Sequence, residues 1–408
     1  MKTIVILGGG YAGVAAAKGL LKEKLDARII LIDQSGYHAL PSDYYELATA
    51  ALPEHKPINW DHVRGSAAIP LRELFKDTRV EIIKDRIEAI DMNRRTVTGT
   101  TTGTHTYDIG IMALGSETNF YTIPHLQDFA YGFKTLNDVL HARNTIDELF
   151  ARKAKHEPIR IVIGGGGFTG CEFAAELVGF IKSLLRRHKR PRASVSVTLI
   201  EANNTLLPGG SAWLQENAKM GLEKLGVALL FGKPIISVNQ ESVSFDDSSL
   251  PYDALFWTAG VKANALLDTL PIKKEKGSCV GVDQTLRIPD YPDVFVIGDS
   301  AHCPNPITGK AAPMTGQVAI HHGAYVARAI ARLLSHQAPL PYVHHEPLLL
   351  VSLGGKYALL DLGWTRIRGF LGWILKRLAL LRYLLTILPL YKIFPRWLSS
   401  TYLFTKND

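Results

Sequence analysis

Residues 3–13 read TIVILGGGYAG, and this stretch decides the fold. Thr3 to Leu7 is a continuous apolar run without alternation, the pattern of a short strand buried on both faces. Gly8, Gly10 and Gly13 follow with G-x-G-x-x-G spacing. Gly8 permits the tight strand-to-helix turn, Gly10 lets the backbone approach a pyrophosphate, and Gly13 allows close helix–strand packing. A helix running to about Leu25 offers its unpaired N–H groups and partial positive charge to phosphate. A second strand, Arg28 to Ile32, ends on Asp33, 20 residues beyond Gly13, where an acid grips a ribose hydroxyl.

The pattern recurs 157 residues later. Arg160 to Gly164 reads as a strand, and Gly165, Gly167 and Gly170 form the second fingerprint, with a helix from about Cys171 to His188. Ser196 to Ile200 closes on Glu201, 31 residues past Gly170, because the intervening helix is long. Four consecutive glycines leave the register open by one residue; taking Gly165 first makes Gly170 the third. A carboxylate at Glu201, followed by Ala202, Asn203 and Asn204 with no arginine, repels a 2′-phosphate and favours NADH over NADPH. Two such sites on one chain make hydride transfer between nicotinamide and flavin the economical reading.

Three further segments end strands in small residues: YDIGIMALGS (107–116), with Ala113 and Gly115; YDALFWTAG (252–260), with Ala259 and Gly260; and DVFVIGD (293–299), with Gly298 before Asp299. Small residues there make room for bound cofactor.

Composition narrows the remaining classes. The 408 residues are 47% apolar and 21% charged, which excludes disorder, collagen and small disulfide scaffolds. Cys171, Cys279 and Cys303 form no CxxC pair, so neither a dithiol centre nor zinc spacing is present and no metal is expected. No GK[ST] arrangement marks a P-loop. The glycines within the N-terminal apolar stretch argue against a secretion signal starting at Lys2. No uninterrupted apolar run reaches 18 residues, so no orthodox membrane span is expected.

The residues just quoted resemble the two-dinucleotide flavoprotein reductases, and within them the type II NADH:quinone oxidoreductases. The resemblance rests on Gly8/Gly10/Gly13, on Gly165/Gly167/Gly170 with FTGCEFAAEL (168–177), on Thr258-Ala259-Gly260, on Gly298-Asp299, and on Gly316 to His321. It implies FAD on the first fingerprint and NADH on the second. It also implies that Asp33 binds the FAD adenosine ribose and Asp299 the ribityl–phosphate side. Thr49 and Ala50, within Tyr37 to Leu52, are implied to lie near the isoalloxazine. The family's quinone motif A-Q-x-A-x-Q aligns with Gly316-Gln317-Val318-Ala319-Ile320-His321. Gln317 and Ala319 match; Gly316 and His321 depart from it. Gln317 and His321 share a helix face, and His321 is a candidate proton donor to reduced quinone. His322 points elsewhere and is unassigned. Glu172, expected in the first turn of its helix, is implied to act in coupling or proton transfer.

The net charge of +8 is concentrated at the C-terminal end. Arg366 to Asp408 holds eight basic residues and one acid, leaving about +1 for residues 1–365. Positions 370, 374, 378, 381, 385 and 388 are Phe, Ile, Leu, Leu, Leu and Leu, one helical stripe. Lys376, Arg377 and Arg382 fall off it and are expected to snorkel to lipid head groups. Pro389 should end the helix, and Leu390 to Phe404 adds Tyr391, Lys392, Arg396, Trp397 and Tyr402. This reads as an in-plane anchor on anionic lipid; a homodimer interface is the competing reading. The basic run Arg186 to Arg192 has no interleaved aromatics and reads as a solvated helix end rather than a nucleic-acid patch.

The expectation is therefore an α/β protein with two Rossmann-like domains and an amphipathic C-terminal foot. Its expected parts are residues 1–120 and 280–340 for FAD, 121–279 for NADH, and 341–408 for the membrane. Its expected activity is FAD-dependent NADH:quinone reduction without proton pumping, as a peripheral protein of the respiratory chain on the cytoplasmic face of the plasma membrane. The rivals are a sulfide:quinone reductase using Cys171 and Cys303, a reductase of another acceptor, and a non-enzymatic redox sensor.

Overall fold

The computed structural model describes residues 1–50, 65–346 and 348–404. Leu52, at the end of the segment read as lying near the flavin, and Lys406 and Asp408 of the basic tail fall outside them. The chain forms two compact units, one of residues 1–39, 68–117 and 261–347, the other of 40–67, 118–260 and 348–408. Residues 341–408, read above as one region, therefore divide at 347/348, and 261–279 goes with the first unit.

The first unit is built on a six-stranded sheet in the order 287–288, 291–296, 109–112, 2–7, 27–33, 80–84. Strand Lys2–Leu7 pairs in parallel with Ala27–Asp33 and Ile109–Met112. Ile4, Val5 and Ile6 are fully buried, because a parallel strand has helices or further sheet on both faces. Helices Tyr11–Lys22 and Gly316–Leu334 pack together. A Cβ on Gly323 would stand 2.3 Å from the Ala12 carbonyl oxygen, so this contact is made backbone to backbone.

The second unit repeats the plan with four parallel strands in the order 228–231, 195–201, 159–164, 254–257. Helix Phe168–His188 follows strand Ile159–Gly164. It begins three residues earlier than the sequence suggests because Gly167 takes the N-cap position. An antiparallel three-stranded sheet (349–352, 358–361, 366–369) leads into helix Phe370–Ile387, and helix Leu390–Phe404 follows. The break between these helices falls at Leu388–Pro389, where proline cannot continue the hydrogen-bond ladder.

Candidate nucleotide-binding sites

In the first unit, Gly8 has φ +106° and leaves no room for a side chain: a Cβ would lie 2.3 Å from the Ala113 carbonyl oxygen. A Cβ on Gly13 would lie 1.9 Å from the Gly8 oxygen. Gly10, at the N-cap of helix Tyr11–Lys22, faces open space. Two glycines are thus demanded by packing, and the third leaves the space before the helix N-terminus open. That division is what a pyrophosphate cradle requires. Asp33 closes it: one carboxylate oxygen accepts from Gly9 N–H at 2.8 Å, the other from the Ser35 and Gly36 amides and the Ser35 hydroxyl.

The second unit reproduces this arrangement glycine for glycine. Gly165 has φ +110° and abuts Ala259, Gly170 abuts the Gly165 oxygen and Thr258, and Gly167 is open. This settles the register within the four glycines. Glu201, 6% exposed, accepts from Gly166 N–H at 2.7 Å and from the amide and side chain of Asn203. Gly260, φ +141°, lies against Tyr121.

Other predicted residues join the first cradle. Gly115 has φ +69° and its carbonyl accepts from the Ser300 hydroxyl at 3.1 Å. Gly298 sits against Ala12 of the cradle helix, and Asp299 accepts from the Ser116 hydroxyl. Gly316 lies against the Tyr11 ring, where an alanine Cβ would come within 3.1 Å. The Tyr11 ring thus leaves little room for the alanine of A-Q-x-A-x-Q, and the next residue, Gln317, is exposed. His321, one turn on, is exposed and stacks on His345 with centroids 4.3 Å apart. Two histidines with no distinguishing sequence signal also line this unit. His38 is fully buried and bonds the Gly9 carbonyl through Nδ1 at 3.0 Å. His322 is described below.

Thr49 counts with the second unit; its buried hydroxyl donates to Tyr45 O at 2.9 Å and Glu46 O at 3.2 Å. Ala50 presents its carbonyl to Arg143 Nε at 3.1 Å.

Glu172 is not in the first helical turn as expected; it is the fifth residue of a helix that opens at Phe168. The N-terminal dipole, which fades within one turn, is thus a weak account of it. Instead Glu172 Oε1 accepts from Ser352 N–H at 3.1 Å and lies 3.7 Å from Lys376 Nζ. Lys376 donates to Ser352 Oγ at 2.8 Å and stands over the Tyr45 ring, whose hydroxyl also donates to Ser352. Arg377 pairs with Glu46 at 3.3 Å, both side chains about 95% buried or more. Asp43 lies close by, and its Oδ2 has no hydrogen-bond partner among the described residues. Burial, with Glu46 and Asp43 near, pushes the Glu172 carboxyl well above the usual range, and burial, with Arg377 adjacent, pushes the Lys376 ammonium well below its own.

The expectation that Lys376 and Arg377 snorkel to lipid is therefore wrong. Both point inward, since opposite charge and the hairpin serine offer partners there. The predicted apolar stripe faces outward only in part: Phe370, Leu378 and Leu385 are 57%, 45% and 48% exposed, whereas Ile374 and Leu381 are half-buried and Leu388 is buried. Leu384 and Ile387, on the opposite side, are buried. Part of the basic run is likewise internal: Arg190 donates to the Lys153 and Glu157 carbonyls at 2.7 and 2.6 Å, and Arg187 meets Asp147 at 3.5 Å.

The raised Glu172 pKa has a testable sign. Its folded-state value lies above the ordinary 4.5, so its contribution to stability is fully present below that pH and is lost as pH rises through the folded value. Glu172→Gln is expected to flatten the decline in unfolding free energy above pH 4.5, measured by urea titration at several pH values. An unchanged slope would show that this carboxyl is not the group responsible.

The profile of the pyridine nucleotide-disulphide oxidoreductases matches residues 2–323. A protein of Staphylococcus haemolyticus named type II NADH:quinone oxidoreductase is 29% identical over 367 residues, covering 86% of this chain and 88% of the relative. The Staphylococcus aureus protein of that name is 28% identical over the same shares. Among solved structures, NDH2 of Plasmodium falciparum in complex with NADH has a TM-score of 0.84 at 17% identity, over 100% of this chain and 97% of that one. The sulfide:quinone oxidoreductase of Aquifex aeolicus reaches 0.77 at 19% identity, over 94% and 91%. With its two glycine cradles, each closed by an acid, and a match across most of its length, the chain belongs to the pyridine nucleotide-disulphide oxidoreductase family.

Proposed function

We propose that the chain is a FAD-dependent type II NADH:quinone oxidoreductase. The observation that carries this reading is the duplicated cradle: Gly8/Gly13 with Asp33 in one unit and Gly165/Gly170 with Glu201 in the other. The first holds FAD, through Gly10, Asp33, Gly115, Gly298 and Asp299; the second holds NADH, through Gly167, Glu201, Ala259 and Gly260. FAD held there would supply the two-electron chemistry that links NADH oxidation to quinone reduction. The protein binds and orients: open glycines admit diphosphate, the acids take ribose hydroxyls, and Gln317 beside Tyr11 lines the acceptor side. Glu172, whose carboxyl burial pushes well above the usual range, is suited to hold a proton for the reduced acceptor.

The family's name evokes dithiol chemistry, and sulfide:quinone reduction needs reactive sulfur. All three cysteines are free and buried. Burial pushes the Cys171 thiol well up, and the Cys303 thiol to about 11. Neither is a thiolate at neutral pH.

No helix among the described residues is long and apolar enough to cross a membrane. The outward stripe of helix Phe370–Ile387, continued by exposed Leu390, Tyr391, Phe394 and Leu398, is the lipid-facing surface, on the cytoplasmic side. Truncating this helix would remove Lys376 and Arg377 from the buried cluster, so point changes are the cleaner test. Leu378→Glu with Leu385→Glu should lower pelleting with anionic liposomes while NADH oxidation by a soluble quinone is kept. Unchanged pelleting would remove the stripe from the anchor, and a shift from dimer to monomer by sedimentation would assign it to a homodimer.

The reaction is tested by anaerobic titration. NADH should bleach the flavin absorption at one equivalent, and a quinone should restore it. Protein purified without flavin, or flavin that NADH leaves oxidised, would overturn the reading. Flavin reduced by NADH but not reoxidised by quinone would point to another acceptor.

A further inference from the structure

His322 follows the motif histidine on helix Gly316–Leu334 and is fully buried. Its Nδ1 accepts a hydrogen bond from the Gly298 backbone N–H at 3.2 Å. Its Nε2 has no hydrogen-bond partner among the described residues, and the ring stands edge to face with Tyr342, centroids 4.8 Å apart. Gly298 lies just past the last ladder bond of its strand, Ile297 N–H to Met112 O at 3.0 Å. It takes φ +68° to turn the chain toward Asp299. Outside the ladder, that N–H depends on a side chain for an acceptor. The turn also rests on the first cradle: a Cβ on Gly298 would lie 3.0 Å from Ala12 Cβ, while Gly323, next to His322, abuts the Ala12 oxygen. One imidazole thus ties the Gly298–Asp299 turn to the helix that flanks the fingerprint.

We infer that His322 is a positioning residue for FAD: its Nδ1 holds the Gly298 amide and so sets the turn on which Asp299 meets the cofactor. This rests on reading the first cradle as the FAD site. The role requires a neutral ring protonated on Nε2. Burial, reinforced by His344 and His321, pushes its pKa down to about 3, so the Nδ1 lone pair is available across the neutral range.

The first test uses wild-type holoprotein. The ¹⁵N spectrum of labelled histidine should show an imidazole with unprotonated Nδ1 and protonated Nε2, assigned by its loss in a His322 variant. A protonated Nδ1 would overturn the inference. The second compares variants. His322→Leu keeps apolar volume but strands the Gly298 N–H, and should weaken FAD binding by about 10–100-fold. Affinity for NAD⁺ should stay unchanged, because it reads the other unit. His322→Asn places an amide oxygen near the Nδ1 position and should recover much of the loss; His322→Gln, whose amide reaches the Nε2 position, should not. If His322→Leu fails to fold, the Asn and Gln pair decides: equal FAD affinity in both overturns the proposal. Wild-type protein with no FAD would instead sink the reading of the first cradle.

Discussion

Replacing Gly170 with valine is expected to lower kcat/KM for NADH by about 100-fold or more while FAD remains at one per chain. The first atom of any side chain there would stand 1.9 Å from the Gly165 oxygen and 2.7 Å from Thr258 Oγ1. Neither neighbour can yield, because Gly165 is the turn itself, at φ +110°, and the Thr258 hydroxyl donates to the Gly164 and Gly165 carbonyls at 3.0 and 3.1 Å. The helix must then move off the strand, taking its N–H groups from the phosphates. Gly167→Ala is the companion test. It meets no protein atom within 4 Å, so it should fold normally and raise KM for NADH by obstructing the ligand alone. Steady-state kinetics with flavin absorbance as the folding control separates the two. A Gly170→Val protein with normal KM would mean that nucleotide does not bind at this corner.

The buried charges give the second large effect. Arg377→Met is expected to cost about 3–5 kcal/mol of unfolding free energy, because it removes the charged partner of the buried Glu46 carboxyl. The side chains of Arg377 and Glu46 are 4% and 5% exposed, so solvent cannot substitute. Asp43 beside them suffers as well: burial already pushes its carboxyl up, and the Arg377 charge opposes that rise. Arg377→Met with Glu46→Leu should recover most of the loss, since an apolar pair of similar volume has no desolvation penalty. Urea unfolding of the two single variants and the double variant closes the cycle. A loss below about 1 kcal/mol, the range of a solvent-exposed pair, would show that helix Phe370–Ile387 is not held through this contact.

The two cradles were legible because they obey local rules. A strand, a turn, a glycine at fixed spacing and an acid at the end of the next strand are all set within 31 residues of chain in the first copy and 42 in the second, and each step has one chemical solution. Even the offset of Glu201 did not hide it, since its strand still ended on the acid. The tail was half legible. The spacing of Phe370, Leu378 and Leu385 identified the outward stripe, but helical periodicity says only which residues share a face, not which face meets solvent. Lys376 and Arg377 were read as lipid ligands because their partners, Glu172, Ser352, Glu46 and Tyr45, lie 24 to 331 positions away in sequence.

By itself, the amino-acid sequence determined that this protein has two Rossmann-like units, each opening on a glycine turn with an acid at the end of the next strand, and that its C-terminal helix carries an apolar face. Tertiary structure alone decided where the buried charges find their opposites, that His322 rather than His321 supports the Gly298 turn, and that the Tyr11 ring leaves little room for a side chain at position 316. The physical reason is range. Backbone sterics and side-chain period act between near neighbours and are written in spacing, whereas desolvated ion pairs and orphan amides are satisfied by whichever group the fold brings within about 3 Å.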